Sequence, residues 1–194
     1  KQNESDSLAL IFFERANNDF KLSGNEWYYA HSLLDVSEYN LYLHYFSRAD
    51  SILKLAETYT TDDMYLARFY ETKGLYFYEL QQYDSALVYF KKGLPLWQHE
   101  EYRLYSYMKI MQVYLDMDSL AQALPYAQSI IHNTQNPTFL VNAYYCMMQD
   151  ANAKNDTKRL SEYSHARADA EKSLRDYVSI SAETVPKFSE YLSN

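Results

Sequence analysis

Residues 70–94 read YETKGLYFYELQQYDSALVYFKKGL. Phe69, Tyr70, Lys73, Gly74, Phe77 and Leu80 recur at helical spacing, with Lys73 the polar exception. After Gln81-Gln82 the same period resumes with Ala86, Leu87, Phe90 and Leu94. So short a connection makes the two helices antiparallel neighbours. Asp84 or Ser85 is placed to cap the second helix by accepting a backbone N–H. Gly74 stands out. It lies inside the first helix, where glycine costs about 1 kcal/mol relative to alanine, in a chain that holds only three glycines. The expectation is close packing, with Gly74 and Ala86 small so that neighbouring helices can approach.

That pattern resembles the tetratricopeptide repeat (TPR), whose motif is W-x2-L-G-x2-Y, then A-x3-F, then P, over about 34 residues. Tyr70 takes the Trp place, Gly74 the Gly and Phe77 the Tyr, while Tyr83, Ala86 and Phe90 fill the second half. The departures are Lys73 for Leu, Gly93 for the late Ala, and Pro95 ahead of its place. The resemblance is specific over residues 67–100 and weaker elsewhere. It implies an all-α fold, a TPR-like right-handed α-α superhelix or helical-hairpin solenoid.

The unit recurs. Thirty-seven residues after Ala86 comes Ala123, in SLAQALPYAQSII, and the helix before it places Tyr107, Ile110, Met111 and Tyr114 in the motif positions. The same step reaches Leu160, whose partner helix carries Tyr144, Met147, Met148 and Ala151. Upstream, NEWYYAHSLLDV and SEYNLYLHYFSRADSILKL form a further pair, with Tyr39, Phe46 and Ala49 in second-half places and Tyr42 where a small residue is expected. The reading is a single domain over 1–194, with hairpins at 23–56, 67–100, 104–137 and 141–174. Residues 5–21 form an opening helix, 156–180 a long one and 185–193 a short last one, so that 5–21 and 175–194 cap the open ends. Pro125, inside a helix, removes one backbone bond and is expected to bend it.

The resemblance also implies that the first helix of each hairpin lines a concave groove. Its positions fall on Trp27 and His31, then on Arg68, Glu71 and Tyr78. The later hairpins contribute Tyr105, Met108 and Gln112, then Tyr145, Gln149 and Asn152. Trp27, Tyr78, Tyr105 and Tyr145 form its expected centre. The set is aromatic and polar and lacks a Lys/Arg cluster for a C-terminal carboxylate. The alternative is that a terminal helix folds back over these residues.

Composition narrows the function. With 47% hydrophobic residues the chain is not disordered, and four Pro with three Gly argue against an all-β fold. The net charge is −8, and adjacent basic residues occur only as short pairs such as Lys91-Lys92. Nucleic acid and anionic membrane surfaces are therefore not expected as direct partners. LALIFF, Leu8 to Phe13, is too short to span a bilayer and runs into Glu14 and Arg15, so no membrane insertion is expected. Cys146 stands alone on an apolar stretch and reads as a buried structural thiol.

Phosphate-binding glycine loops, nucleophile elbows and zinc-protease motifs are absent, and no two of the five histidines stand at i,i+3 or i,i+4. No catalytic, cofactor or metal residues are assigned, and the chain does not read as an enzyme. Asp62-Asp63 and Glu100-Glu101 read as acids at helix N-termini. Of the 22 tyrosines, most suit a thin two-layer helical core, and the rest are available to a groove. The leading expectation is a scaffold that binds a protein or peptide or holds subunits together, a homo-oligomer included. The net charge favours a basic or neutral partner. The alternative is a ligand- or peptide-sensing domain of a larger signalling protein. The chain begins at Lys1 rather than Met, so a start has been removed, by a signal peptidase or by truncation, and the sequence leaves both open. An exported, periplasmic or membrane-tethered location is slightly favoured over the cytoplasm.

Overall fold

The computed structural model describes residues 4–59 and 62–184, with side chains for 8–59 and 62–176. The helix expected over 185–193 lies outside the described residues. Those residues form α1 (Glu4–Leu22), α2 (Glu26–Tyr42), α3 (Phe46–Ala56), α4 (Asp63–Glu79) and α5 (Tyr83–Gly93). A 3-10 turn, Leu94–Leu96, precedes α6 (Glu100–Asp116), α7 (Leu120–Asn133), α8 (Pro137–Ala153) and α9 (Thr157–Thr184). No strand occurs among them.

One backbone device recurs at four of the described turns, after α2, α4, α6 and α8. His44, Gln81, Asp118 and Asn155, each 37 residues after the last, hold φ of 59°, 58°, 53° and 54°. Each follows a helix C-cap in the left-handed region that ends helices with paired carbonyls. The N–H of the next residue bonds a carbonyl five residues back: Tyr45 to Asn40 at 2.8 Å, Gln82 to Phe77 at 2.9 Å, Ser119 to Tyr114 at 2.8 Å, Asp156 to Ala151 at 2.9 Å. The left-handed residues themselves donate to Leu41, Tyr78, Leu115 and Asn152. Four turns of the same geometry thus recur at a constant period.

This turn corrects two sequence expectations. Tyr39 and Tyr42 sit in the last turns of α2, not in the second helix of the first hairpin, because the chain reverses at His44. Neither Asp84 nor Ser85 caps α5, which starts at Tyr83 behind Gln82 with no side-chain cap bond. The main-chain closure already places the helix start, and Asp84 falls in its first turn.

The chain groups into two compact units, Lys1–Val113 and Tyr114–Asn194, where the sequence reads as one domain. In the first, Tyr29, Ala30, Leu33, Leu34, Leu53, Ala56, Tyr65 and Phe69 form the buried cluster. Tyr65 is fully buried yet donates its hydroxyl to the Ala56 carbonyl at 2.6 Å, so the large ring costs no unpaired polar group. α1 joins through Asn17 Nδ2 to Ser32 Oγ at 2.7 Å, a Phe20–Tyr28 stack at 5.3 Å, and an Arg48–Glu14 ion pair. The second unit buries Phe139, Ala143, Cys146 and Ala151, and stacks Tyr144 on Tyr163 at 6.4 Å. Burial raises the Cys146 thiol to about 11, so it is an unreactive core group. Pro125 lies inside α7, where its carbonyl accepts the Ser129 hydroxyl at 2.9 Å.

Gly74 is explained by a ring. A Cβ there would stand 2.6 Å from both Cδ1 and Cε1 of Phe90, which is 2% exposed. The closest approach to backbone belongs instead to Gly93, where a Cβ would meet the Ala67 carbonyl oxygen at 3.0 Å. Stepping by 37, the Gly74 place holds Ser37, Met111 and Met148, and the Phe90 place holds Leu53, Ala127 and Ser164. As a matter of sequence the two series run in opposite senses, the smallest residue of one falling in the same hairpin as the largest of the other. Lys73, the other departure, lies with Nζ 5.2 Å from the ring centroids of both Phe69 and Tyr89 and 3.0 Å from Glu57. Its stem covers apolar surface while the ammonium keeps partners, so Lys serves where Leu is usual.

Gly74→Ala is expected to destabilise by about 1–3 kcal/mol through overpacking against Phe90, despite a helix-propensity gain of about 1 kcal/mol. The double change Gly74→Met, Phe90→Ala, copying the residues of the third hairpin, is expected to lose less than the sum of its parts. Urea denaturation of the four proteins measures this, with a coupling of at least about 1 kcal/mol expected.

Candidate functional site: an aromatic and charged cleft in the first unit

A cleft of about 520 Å³ opens on the first unit between α2, α4 and α6. α2 lines it with Trp27, His31 and Glu38, and α4 with Met64, Arg68, Glu71 and Leu75. These positions repeat every three, four or seven residues, which puts each set on one helix face. α6 adds Tyr102, Tyr105 and Lys109, and Trp97 enters from the segment after the 3-10 turn. An adjoining hollow of about 300 Å³ shares Met64, Trp97 and Tyr102 and is bounded by Asp62, Asp63 and His99.

The rings are held from behind. Asp62 is the N-cap of α4, accepting from the Tyr65 N–H at 2.7 Å, and its other oxygen accepts the Trp27 indole N–H at 2.9 Å. The backbone bond from Tyr65 is the main reason its carboxyl lies below the usual range. Trp97 is buried and donates its indole N–H to Ser106 Oγ at 3.1 Å, while Tyr102 stacks on it at 4.7 Å. Trp27, Tyr102 and Tyr105 stay 38%, 42% and 38% exposed.

Most cleft charges are paired within the fold. Arg68 Nη2 lies 2.6 Å from Asp35, and the Thr72 hydroxyl donates to Glu38 at 2.6 Å. Arg68 Nη1 donates to His31 Nδ1 at 3.4 Å. A guanidinium only donates, so the neutral His31 carries its proton on Nε2, which has no hydrogen-bond partner among the described residues. Burial, and then the Arg68 charge, hold His31 below its ordinary value. Glu71 goes the other way. Burial, then the Glu38 charge, push its carboxyl up to about 7, although Lys109 and Arg68 oppose the shift.

Of the eleven residues read from sequence, the cleft brings together Trp27, His31, Arg68, Glu71 and Tyr105. Tyr78 sits at the end of α4 against Tyr83, with ring centroids 5.9 Å apart. Met108 and Gln112 are half-buried on α6 outside the lining. Tyr145, Gln149 and Asn152 belong to the second unit, where the Arg167 guanidinium covers the Tyr145 ring at 5.1 Å. Sequence reasoning missed Trp97, which lies on no first helix, and Glu38, Met64, Leu75, Tyr102 and Lys109. The last five share a helical face with the groove positions that were found, and that spacing was the available signal.

Repeated helical hairpins at a constant period, with a polar and aromatic face on their first helices, define a TPR-like, all-α helical solenoid fold. Among solved structures the chain is similar to MamA, a TPR-fold protein, with a TM-score of 0.63 and 16% identity over 85% of this chain and 90% of that one. No protein-family model matches the chain, and no curated protein matches it in sequence.

The Glu71 shift has a consequence for stability. Folding raises this acid from the ordinary 4.5 to about 7, so the folded protein binds the proton more tightly than the unfolded chain. The contribution is complete below about pH 4.5, falls as pH rises to about 7, and is flat above. Glu71→Gln is expected to gain stability over the parent as pH rises from 5 to 7.5. The gain is on the order of 1–2 kcal/mol, below the full value per pKa unit because solvent reaches the cleft. Urea midpoints of both proteins across that range measure it; a difference independent of pH would show an unperturbed carboxyl.

Proposed function

We propose that the chain is a non-catalytic, TPR-like protein-interaction module that holds an extended or helical segment of a partner protein in the cleft of its first unit. The observation that carries this reading is the state of the cleft rings. Trp27, Tyr102 and Tyr105 are open to solvent while their surroundings are fixed by the Asp62 and Ser106 bonds and by the Trp97–Tyr102 stack. Anchored aromatic surface of this kind supplies large contact area at small cost in side-chain freedom. Arg68, Glu38 and Thr72 are paired with neighbours, so they favour a wall that positions a ligand over a set of reacting groups. The fold supports the reading, since stacked hairpins present extended concave binding surfaces, and the net charge of −8 disfavours nucleic acid.

The test is selection of peptides from a random display library, followed by affinity measurement with variants that retain the helical circular dichroism of the parent. Tyr105→Ala is expected to weaken the selected peptides about tenfold or more, the usual effect of truncating an aromatic anchor. Val88→Ala, at an exposed position of α5, is expected to leave affinity unchanged. The reverse pattern would place binding on the outer helices and refute the cleft.

A further inference from the structure

We infer that the cleft of the first unit receives a basic side chain of the partner segment, the ammonium of lysine or the guanidinium of arginine, with Glu71 as its counter-ion. The inference rests on the peptide-binding reading and specifies its chemistry.

Most charges around the cleft are already taken. Arg68 is taken by Asp35, Glu38 by the Thr72 hydroxyl, and Asp62 by the Tyr65 N–H and the Trp27 indole. Glu71 has neither a hydrogen bond nor an ion pair among the described residues. Lys109, across the cleft on α6, and Arg68, on its own helix, attract it without forming an ion pair with it among the described residues. A half-buried carboxylate without a partner is costly, and a cation brought to it removes that cost. The walls suit the same visitor. Trp27, Tyr102 and Tyr105 line the approach with exposed rings, and the faces of such rings attract ammonium and guanidinium groups. An anionic side chain would meet the opposite conditions. Arg68 is already paired with Asp35, and Glu71, which has no pairing to lose, repels it, so that among the described cleft residues Lys109 alone would attract it.

Proton linkage supports the assignment. Glu71 is partly protonated near neutral pH, and the groups facing it are Glu38 on α2, Arg68 on its own helix and Lys109 on α6, with His31 held neutral beside Arg68. An arriving cation stabilises the carboxylate, so binding below about pH 7 releases a proton.

The test uses the library-selected peptides. Trp27 and Trp97 are the chain's only two tryptophans, and both line the cleft, so intrinsic fluorescence reads its occupancy directly. Peptides whose binding depends on Tyr105 are expected to carry a Lys or Arg whose replacement by norleucine weakens binding tenfold or more. Glu71→Gln is expected to weaken the parent peptide by a similar factor and the norleucine peptide by less than about twofold. Calorimetry at pH 6.5 in buffers of different ionisation enthalpy is expected to show proton release with the parent protein and none with Glu71→Gln. Tyr105-dependent peptides that lack a basic residue, that carry an acidic one in its place, or that are indifferent to Glu71→Gln overturn the inference and leave the groove reading standing. If no selected peptide depends on Tyr105, the groove reading fails and the cation pocket fails with it.

Discussion

Four of the described turns, after α2, α4, α6 and α8, each hang on one non-glycine residue in the left-handed region. That conformation costs a non-glycine residue about 1–2 kcal/mol, and it is kept at His44, Gln81, Asp118 and Asn155. What offsets it is the pairing of carbonyls that a helix end otherwise leaves open, through two main-chain bonds at each turn. Main-chain atoms make the closure, and four residues, none of them glycine, occupy the position. The reversal fixes where the second helix starts and therefore which of its residues meet the first. The tight fit of Phe90 on Gly74, and of Gly93 against Ala67, follows from that register.

The hairpin at 70–94 was legible because its signals are local: helical spacing on both sides of Gln81-Gln82 and small residues at Gly74, Ala86 and Gly93. The first hairpin was harder. His44 carries no glycine or asparagine signal, so the chain reversal was invisible and Tyr39 and Tyr42 were set in the wrong helix. The role of Gly74 was half legible. Glycine in a helix signals close approach, but that the neighbour is a ring at Phe90 needs the packed structure. In the cleft, positions set by helical register were readable, as with Arg68 and Glu71. Trp97 was not, because it reaches the site from a connecting segment. The reach of Tyr78 toward Tyr83 and the cover of Arg167 over Tyr145 depend on side-chain packing that spacing does not encode.

The cleft combines two kinds of polar group. Asp62, Arg68, Glu38 and Thr72 spend their bonding on the fold, which fixes the helix faces and the indoles. Glu71 and the Nε2 of His31 do not, and both sit in the lining of the same depression. A rigid frame with a few unspent groups is the arrangement in which binding orders little that is not already ordered.

The matched volumes at Gly74 and Phe90 reach beyond the stability of one helix pair. In the second hairpin the ring of Phe90 fills the space that Gly74 leaves, so that second helix is fitted to its own first helix. The unit that evolution can duplicate, delete or shuffle in such a chain is consequently the complete 37-residue hairpin with its turn. Recombination that cuts between the two helices separates a side chain from the space made for it, whereas a crossover in the segments between hairpins keeps each fitted pair intact.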